Sequence, residues 1–220
     1  MPALPEPAER AAPAANAGDA PDVPSVLIIG CGALARELLA LTRDLPGVKV
    51  VCVDARLHMW PERIAGAVAA RIVRARREYG PDVRIFVAYA DCGTRGSLDK
   101  VLAEAGVERI GGAHCYEFYA GDAVYAALQD EEPGTFYLTD FLARQFETLV
   151  IAGLGLDRHP ELTPLYFGNY RRVIYLAQSD DPDLTARARA AATRLGLAFE
   201  RRQTGYGGLA SSITTAIGVA

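Results

Sequence analysis

Hydrophobic and polar positions alternate along this chain in a repeating strand-then-helix pattern. Residues 25–30 (SVLIIG) form a short continuous apolar run, as expected of a strand buried on both faces. Leu34, Leu38, Leu39 and Leu41 then recur at helical spacing over 33–43, and Pro46-Gly47 ends that helix. Residues 48–53 (VKVVCV), 83–89 (VRIFVAY) and 172–177 (RVIYLA) read as further strands, with 107–113 (VERIGGA) a weaker one and 197–202 an edge strand. Helical patterns fill the gaps at 61–78, 96–105, 121–129, 136–147 and 182–195, and 148–152 is an additional apolar run. Strands separated by helices predict an α/β fold with a mainly parallel, Rossmann-like sheet and helices on both faces, because parallel neighbours need crossover connections.

Composition separates one segment from this pattern. Residues 1–24 hold six of the 13 prolines and eight alanines, with no aromatic residue. Such a stretch cannot bury enough surface to offset its ordering entropy, so a disordered tail is expected there and a single α/β domain over 25–220. The whole chain carries 23 basic and 27 acidic residues, a net charge of −4; the tail takes four acids and one Arg, leaving the body near balance. That balance offers no basic face for nucleic acid. No apolar run approaches the roughly 18–20 residues of a membrane-spanning helix, and the N-terminus has no basic-then-apolar leader pattern. The expectation is a cytoplasmic protein without nucleic-acid or membrane partners, acting on a small-molecule substrate.

In that setting the four cysteines are poor material for a disulfide framework. Cys52 lies inside a strand and reads as core. The other three follow strand ends: Cys31 after the first strand, Cys92 after the third, Cys115 after the fourth. Ligands bind in the crevice outside the carboxyl ends of parallel strands, so these three thiols are expected to converge there. A three-thiolate set suits zinc or a [4Fe-4S] cluster far better than a hard cation, with zinc favoured. His58, His114 and His159 all sit in loops, and each is a candidate fourth ligand, proton shuttle or hydrogen-bond donor behind the ligands, with His58 the choice for the metal. His114, Asp91 and Glu117 are the candidates for proton handling.

Residues 30–35 (GCGALA) also fit the G-x-G-x-x-A turn of a dinucleotide site, with Asp54 about where a ribose-binding acid would lie. Against this stand Cys31 inside the turn and Glu37 in the first helical turns. Residues 91–96 (DCGTRG) could form a small-anion nest at a helix N-terminus, with Thr94 and Arg95 as donors. Gly30, Gly32, Gly93 and Thr94 are therefore the candidates for cofactor contacts. The run Arg71, Arg74, Arg76, Arg77 reads as a solvated helix face, and the aromatic segments 116–119 and 134–141 either wall a cleft or pack on the sheet.

The motifs CGALARE (31–37), LHMWPERI (57–64), YADCGTRGSLD (89–99), GGAHCYEFYAG (111–121), PGTFYLTDFLARQF (133–146), GLGLDRHPEL (153–162) and YFGNYRRVIYLAQ (166–178) together resemble the DUF1638 family over about residues 25–209. The family is named for its unknown function. The resemblance implies an association with corrinoid proteins and methyltransferases of methyl-group metabolism. The Asp-x-His-x-x-Gly loop that usually marks a cobalamin lower-ligand site is absent, and Tyr89-Ala90-Asp91-Cys92 stands where the family pattern reads Tyr-Gly-Asp-Cys. Three functions are expected in order: a metal-thiolate enzyme or enzyme component in methyl-group or sulfur transfer, a non-catalytic metal-binding accessory protein, and an NAD(P)-dependent oxidoreductase.

Overall fold

The computed structural model describes residues 23–218, so all but the last two residues of the expected tail lie outside the described residues. Among the described residues seven strands form two sheets, and every strand pair is parallel. The first sheet has the order β2-β1-β3-β4, from β1 (Val26–Cys31), β2 (Val48–Val53), β3 (Ile85–Ala88) and β4 (Glu108–Arg109). The second has the order β5-β6-β7, from β5 (Thr135–Leu138), β6 (Arg172–Ala177) and β7 (Ala198–Gln203). The α/β class expected from the apolar runs is present. The division into two sheets is a feature that the runs do not display, because strand pairing is a long-range property.

Every residue of β1 is buried, which accounts for its unbroken apolar run. Between the strands lie α1 (Ala35–Thr42), α2 (Ile64–Tyr79), α3 (Ser97–Ala105), α4 (Cys115–Ala120), α5 (Asp122–Glu131), α6 (Asp140–Gln145), α7 (Thr163–Phe167) and α8 (Pro182–Leu195), with α9 (Gly207–Ile217) after β7. Among the described residues no helix is long and apolar enough to cross a membrane.

Three of the expected elements differ in the structure, and α4, α7 and α9 lie where no helix is expected from the sequence. β5 was subsumed in a helix over 136–147; the chain is extended until Thr139, whose Oγ1 accepts the Leu142 N–H at 3.3 Å and caps α6. The apolar run at 148–152 belongs to a π-helical turn, Phe146–Ala152. The weak fourth strand shrinks to two residues because 110–114 turn away to deliver α4.

One face of the second sheet shares a core with the first, while its other face packs in a separate cluster with α6 and α8. Tyr137, Ile174 and Leu176 of the second sheet pack in the same buried cluster as Ile28, Val87 and Tyr89 of the first. Helices α4 and α9 bind the halves together, α4 touching β6 and α9, and α9 reaching back to β3. This seam is tight enough to demand glycine at its start. Gly207 has φ +46°, and a Cβ there would stand 2.5 Å from the Phe118 carbonyl oxygen and 2.6 Å from that of Tyr119.

Asp140, 1% exposed, ties β5 to β6. Its Oδ1 accepts from the Tyr175 hydroxyl at 2.7 Å and the Gln178 N–H at 3.0 Å. Its Oδ2 accepts from the Ser179 N–H at 3.1 Å and hydroxyl at 2.5 Å, with Arg144 Nη2 at 3.7 Å. A buried carboxylate is tolerable when it is supplied with donors in this way.

Candidate functional site: three thiols around one void

Cys31 is the last residue of β1, Cys92 lies in the loop after β3, and Cys115 opens α4. All three are free and buried. They line one small void together with Ala33, Leu34, His58, Tyr89 and Ala90, and the room at its centre is about 10 Å³, roughly that of one water. The carboxyl-edge placement that follows from the strand ends thus gathers residues 61 and 23 positions apart. Cys52, expected as core, is half-buried on the edge strand β2 and takes no part in the void.

Burial dominates the three thiols and outweighs the small opposing effect of nearby backbone N–H groups: those of Cys31 and Cys115 are raised, and that of Cys92 is pushed up to about 12. Cys52 is also raised by burial, to about 11. Buried thiols of this kind would give up their protons on binding a soft cation, which would complete the cluster. Tyr89 sits against the cluster; its hydroxyl feels the Cys31 sulfur but makes no hydrogen bond of ordinary geometry, and burial raises it well above its usual value.

His58 arrives from the turn after β2 and lines the void with its Nδ1 buried and unpartnered. Burial first, and His114 second, depress it, so its ring is held neutral. His114 stands beside the site with its ring 6.1 Å from that of Tyr116. His159 lies elsewhere, exposed, with Nδ1 3.2 Å from Glu161.

The two candidate acids hold backbone. Asp91 accepts from the Thr94 hydroxyl at 2.6 Å and from the N–H groups of Gly93, Arg95 and Gly96 at 3.1 to 3.2 Å, which lowers its carboxyl. The expected anion nest, Gly93 and Thr94 included, is therefore filled by the loop's own carboxylate. Its folding carries Cys92 into the left-handed region, φ +48°, while the Asp91 and Cys92 N–H groups bond to Gly112 and Ala113. Glu117 accepts from the Ala113 N–H at 2.5 Å and fixes the start of α4. Loop and helix start are thus one unit carrying Cys92 and Cys115.

The glycine turn is equally committed. A Cβ on Gly32 would meet the Val53 carbonyl oxygen at 2.7 Å and the Ala55 nitrogen at 2.8 Å, and one on Gly30 would meet the Leu38 side chain at 2.3 Å. Backbone packing alone requires Gly32, whereas at Gly30 a Cβ meets only the movable end of Leu38. The Asp54 carboxylate is paired with Arg56 at 2.6 Å.

Among the described residues, no three His, Cys, Asp or Glu side chains already stand at coordinating distances. The donor set fits a soft metal in kind: three thiols, an orphaned imidazole nitrogen and a void of single-ion size. Closing on an ion calls for these side chains to draw closer together.

A second cavity of about 190 Å³ adjoins the void, with Ala33, His58 and Cys115 lining both. Aromatic and aliphatic side chains from β5, α6, α7 and the π-helical turn line it. A larger open groove of about 950 Å³ runs between α6 and α8, remote from every thiol. The aromatic segments at 116–119 and 134–141 serve both uses weighed for them: Phe118 and Tyr119 are core, while Tyr116, Phe136 and Phe141 wall the cavity. Sequence reasoning did not single out Tyr89 or the π-helical turn; the orphaned hydroxyl one residue past β3 has no local signature.

No curated protein and no solved structure matches this chain. The model of one family, described as a protein of unknown function (DUF1638), matches residues 52–213 and so includes Cys92, Cys115 and His58, while Cys31 precedes the matched segment. The chain belongs to the DUF1638 family.

Proposed function

We propose that Cys31, Cys92 and Cys115 are the ligands of a single thiolate metal centre, with zinc favoured over an iron–sulfur cluster, in an enzyme of alkyl or sulfur transfer. One observation carries this reading: three buried cysteines, brought together from separate parts of the chain, line one void together with His58, whose Nδ1 has no partner. A structural role for buried cysteine does not call for such convergence, and a four-iron cluster would need far more room than a void of this size. His58 is placed to close the ligand set or to accept a proton through Nδ1. Zinc held by these residues would supply Lewis acidity toward a substrate sulfur.

This chain's own residues do the rest. Asp91 and Glu117 position the Cys92 and Cys115 loops through backbone hydrogen bonds, and the apolar wall excludes water. The adjoining cavity favours an enzyme over an accessory role, because metal storage needs no chamber. A corrinoid protein or methyltransferase as partner fits alkyl transfer and is part of the proposal. Elemental analysis and an absorption spectrum on protein purified without oxygen test it. One equivalent of zinc and a featureless visible spectrum are expected; protein that takes up no soft metal would overturn it.

A further inference from the structure

We infer that the 190 Å³ cavity beside the thiols is a substrate chamber for a small, uncharged apolar molecule ending in a thiol. The inference rests on the thiolate centre proposed above and adds the substrate class.

Size comes first. An engineered apolar cavity of roughly 150 Å³ takes up benzene, so this chamber holds a ring with a short extension. Charge comes second. No Lys, Arg, Asp or Glu lines the chamber, so a carboxylate, phosphate or ammonium group would enter it unpaired. Among the few polar groups in its wall, Thr139 is occupied, its Oγ1 accepting the Leu142 N–H. Cys115, Tyr116 and His58 remain, and of these Cys115 and His58 also line the void at the centre of the thiols. A ligand's polar end is thereby directed to the end of the chamber where Cys115 and His58 lie, and a thiol is the polar end that a thiolate centre there would take. Its apolar body lies along Phe136, Phe141 and the π-helical turn carrying Leu149 and Val150. Single-turn π-helices in this position are a frequent device of functional sites. Ala33, with its small side chain, lines both spaces.

The test uses two probes of matched shape, toluene and phenylmethanethiol, titrated into the full chain and followed by the methyl resonances of Leu and Val. Toluene is expected to bind saturably with or without metal, shifting Leu149, Val150 and Leu154. Phenylmethanethiol is expected to bind at least about tenfold more tightly than toluene in metal-replete protein, and to lose that advantage in Cys115→Ser. Leu149→Trp, or the milder Leu149→Phe should the first not fold, is expected to weaken both probes at least about tenfold. Absence of saturable toluene binding, or indifference to both Leu149 variants, overturns the chamber. Equal affinity of the two probes for metal-replete protein overturns the thiol-ended class. Metal content of the same samples tests the centre separately, so metal without probe binding defeats the chamber and leaves the centre standing.

Discussion

Asp140→Asn is the sharpest test of how the second sheet supports the site, since Asp140 opens the helix that carries Phe141 and Leu142 into the chamber wall. The two side chains have the same shape, so no cavity arises and the effect is one of hydrogen bonding. Each carboxylate oxygen of Asp140 accepts from one backbone N–H and one hydroxyl. An amide can satisfy only one pair and must turn its NH₂ toward the other. The cheaper orientation faces Ser179, whose hydroxyl can rotate to accept, leaving the Ser179 N–H unpaired and Arg144 without its acid. Stranding one N–H and weakening the surviving bonds from charge-assisted to neutral costs about 3–5 kcal/mol. Tyr175→Phe removes a single donor and should cost about 2 kcal/mol. Urea denaturation gives both values from the midpoint shift at unchanged slope. A loss below about 1 kcal/mol for Asp140→Asn, or one no larger than that of Tyr175→Phe, would refute the reasoning.

Three further outcomes follow from single residues. Glu37 is buried with Oε2 unpartnered, and desolvation raises its carboxyl, so the fold favours the protonated form. Its stabilising contribution is full below the unfolded carboxyl value of about 4.3 and is lost as pH rises through the folded value; Glu37→Gln should therefore match wild type in acid and exceed it in urea midpoint at neutral pH. Cys52→Ala should leave bound metal unchanged and cost about 1 kcal/mol through lost packing, read from parallel elemental analysis and urea melts. Gly207→Ala should cost about 2–4 kcal/mol by thermal or urea unfolding, because the left-handed backbone and two carbonyl oxygens both oppose a Cβ.

The parts of this molecule that were legible in sequence are those fixed by local pattern. β6 and α8 fall at 172–177 and 182–195 as their apolar spacing predicts, and the Pro at the head of α8 follows an N-cap Asp181. The placement of Cys31, Cys92 and Cys115 was legible for the same reason, since each follows a recognisable strand. The aromatic run that continues from Phe136 past Phe141 hid the junction of β5 with α6, although Thr139 marks it as a cap. The Gly-Gly and Ser/Thr-rich composition of α9 concealed a stripe of Leu209, Ile213 and Ile217 facing the core. What decides the chemistry of the site is less legible still. The gathering of the thiols around one void, the engagement of Asp91 by its own loop, and the orphaned Nδ1 of His58 depend on backbone geometry and distant neighbours.

Cobalt(II) titration under anaerobic conditions tests the central claim most directly, because a thiolate-to-metal charge-transfer band appears only when cysteine sulfur binds the ion. The account predicts a saturable band at one equivalent in wild type and in Cys52→Ser, reduced or abolished in each of Cys31→Ser, Cys92→Ser and Cys115→Ser. A band that survives all three of those substitutions, that vanishes with Cys52→Ser, or that never forms in wild type would contradict it.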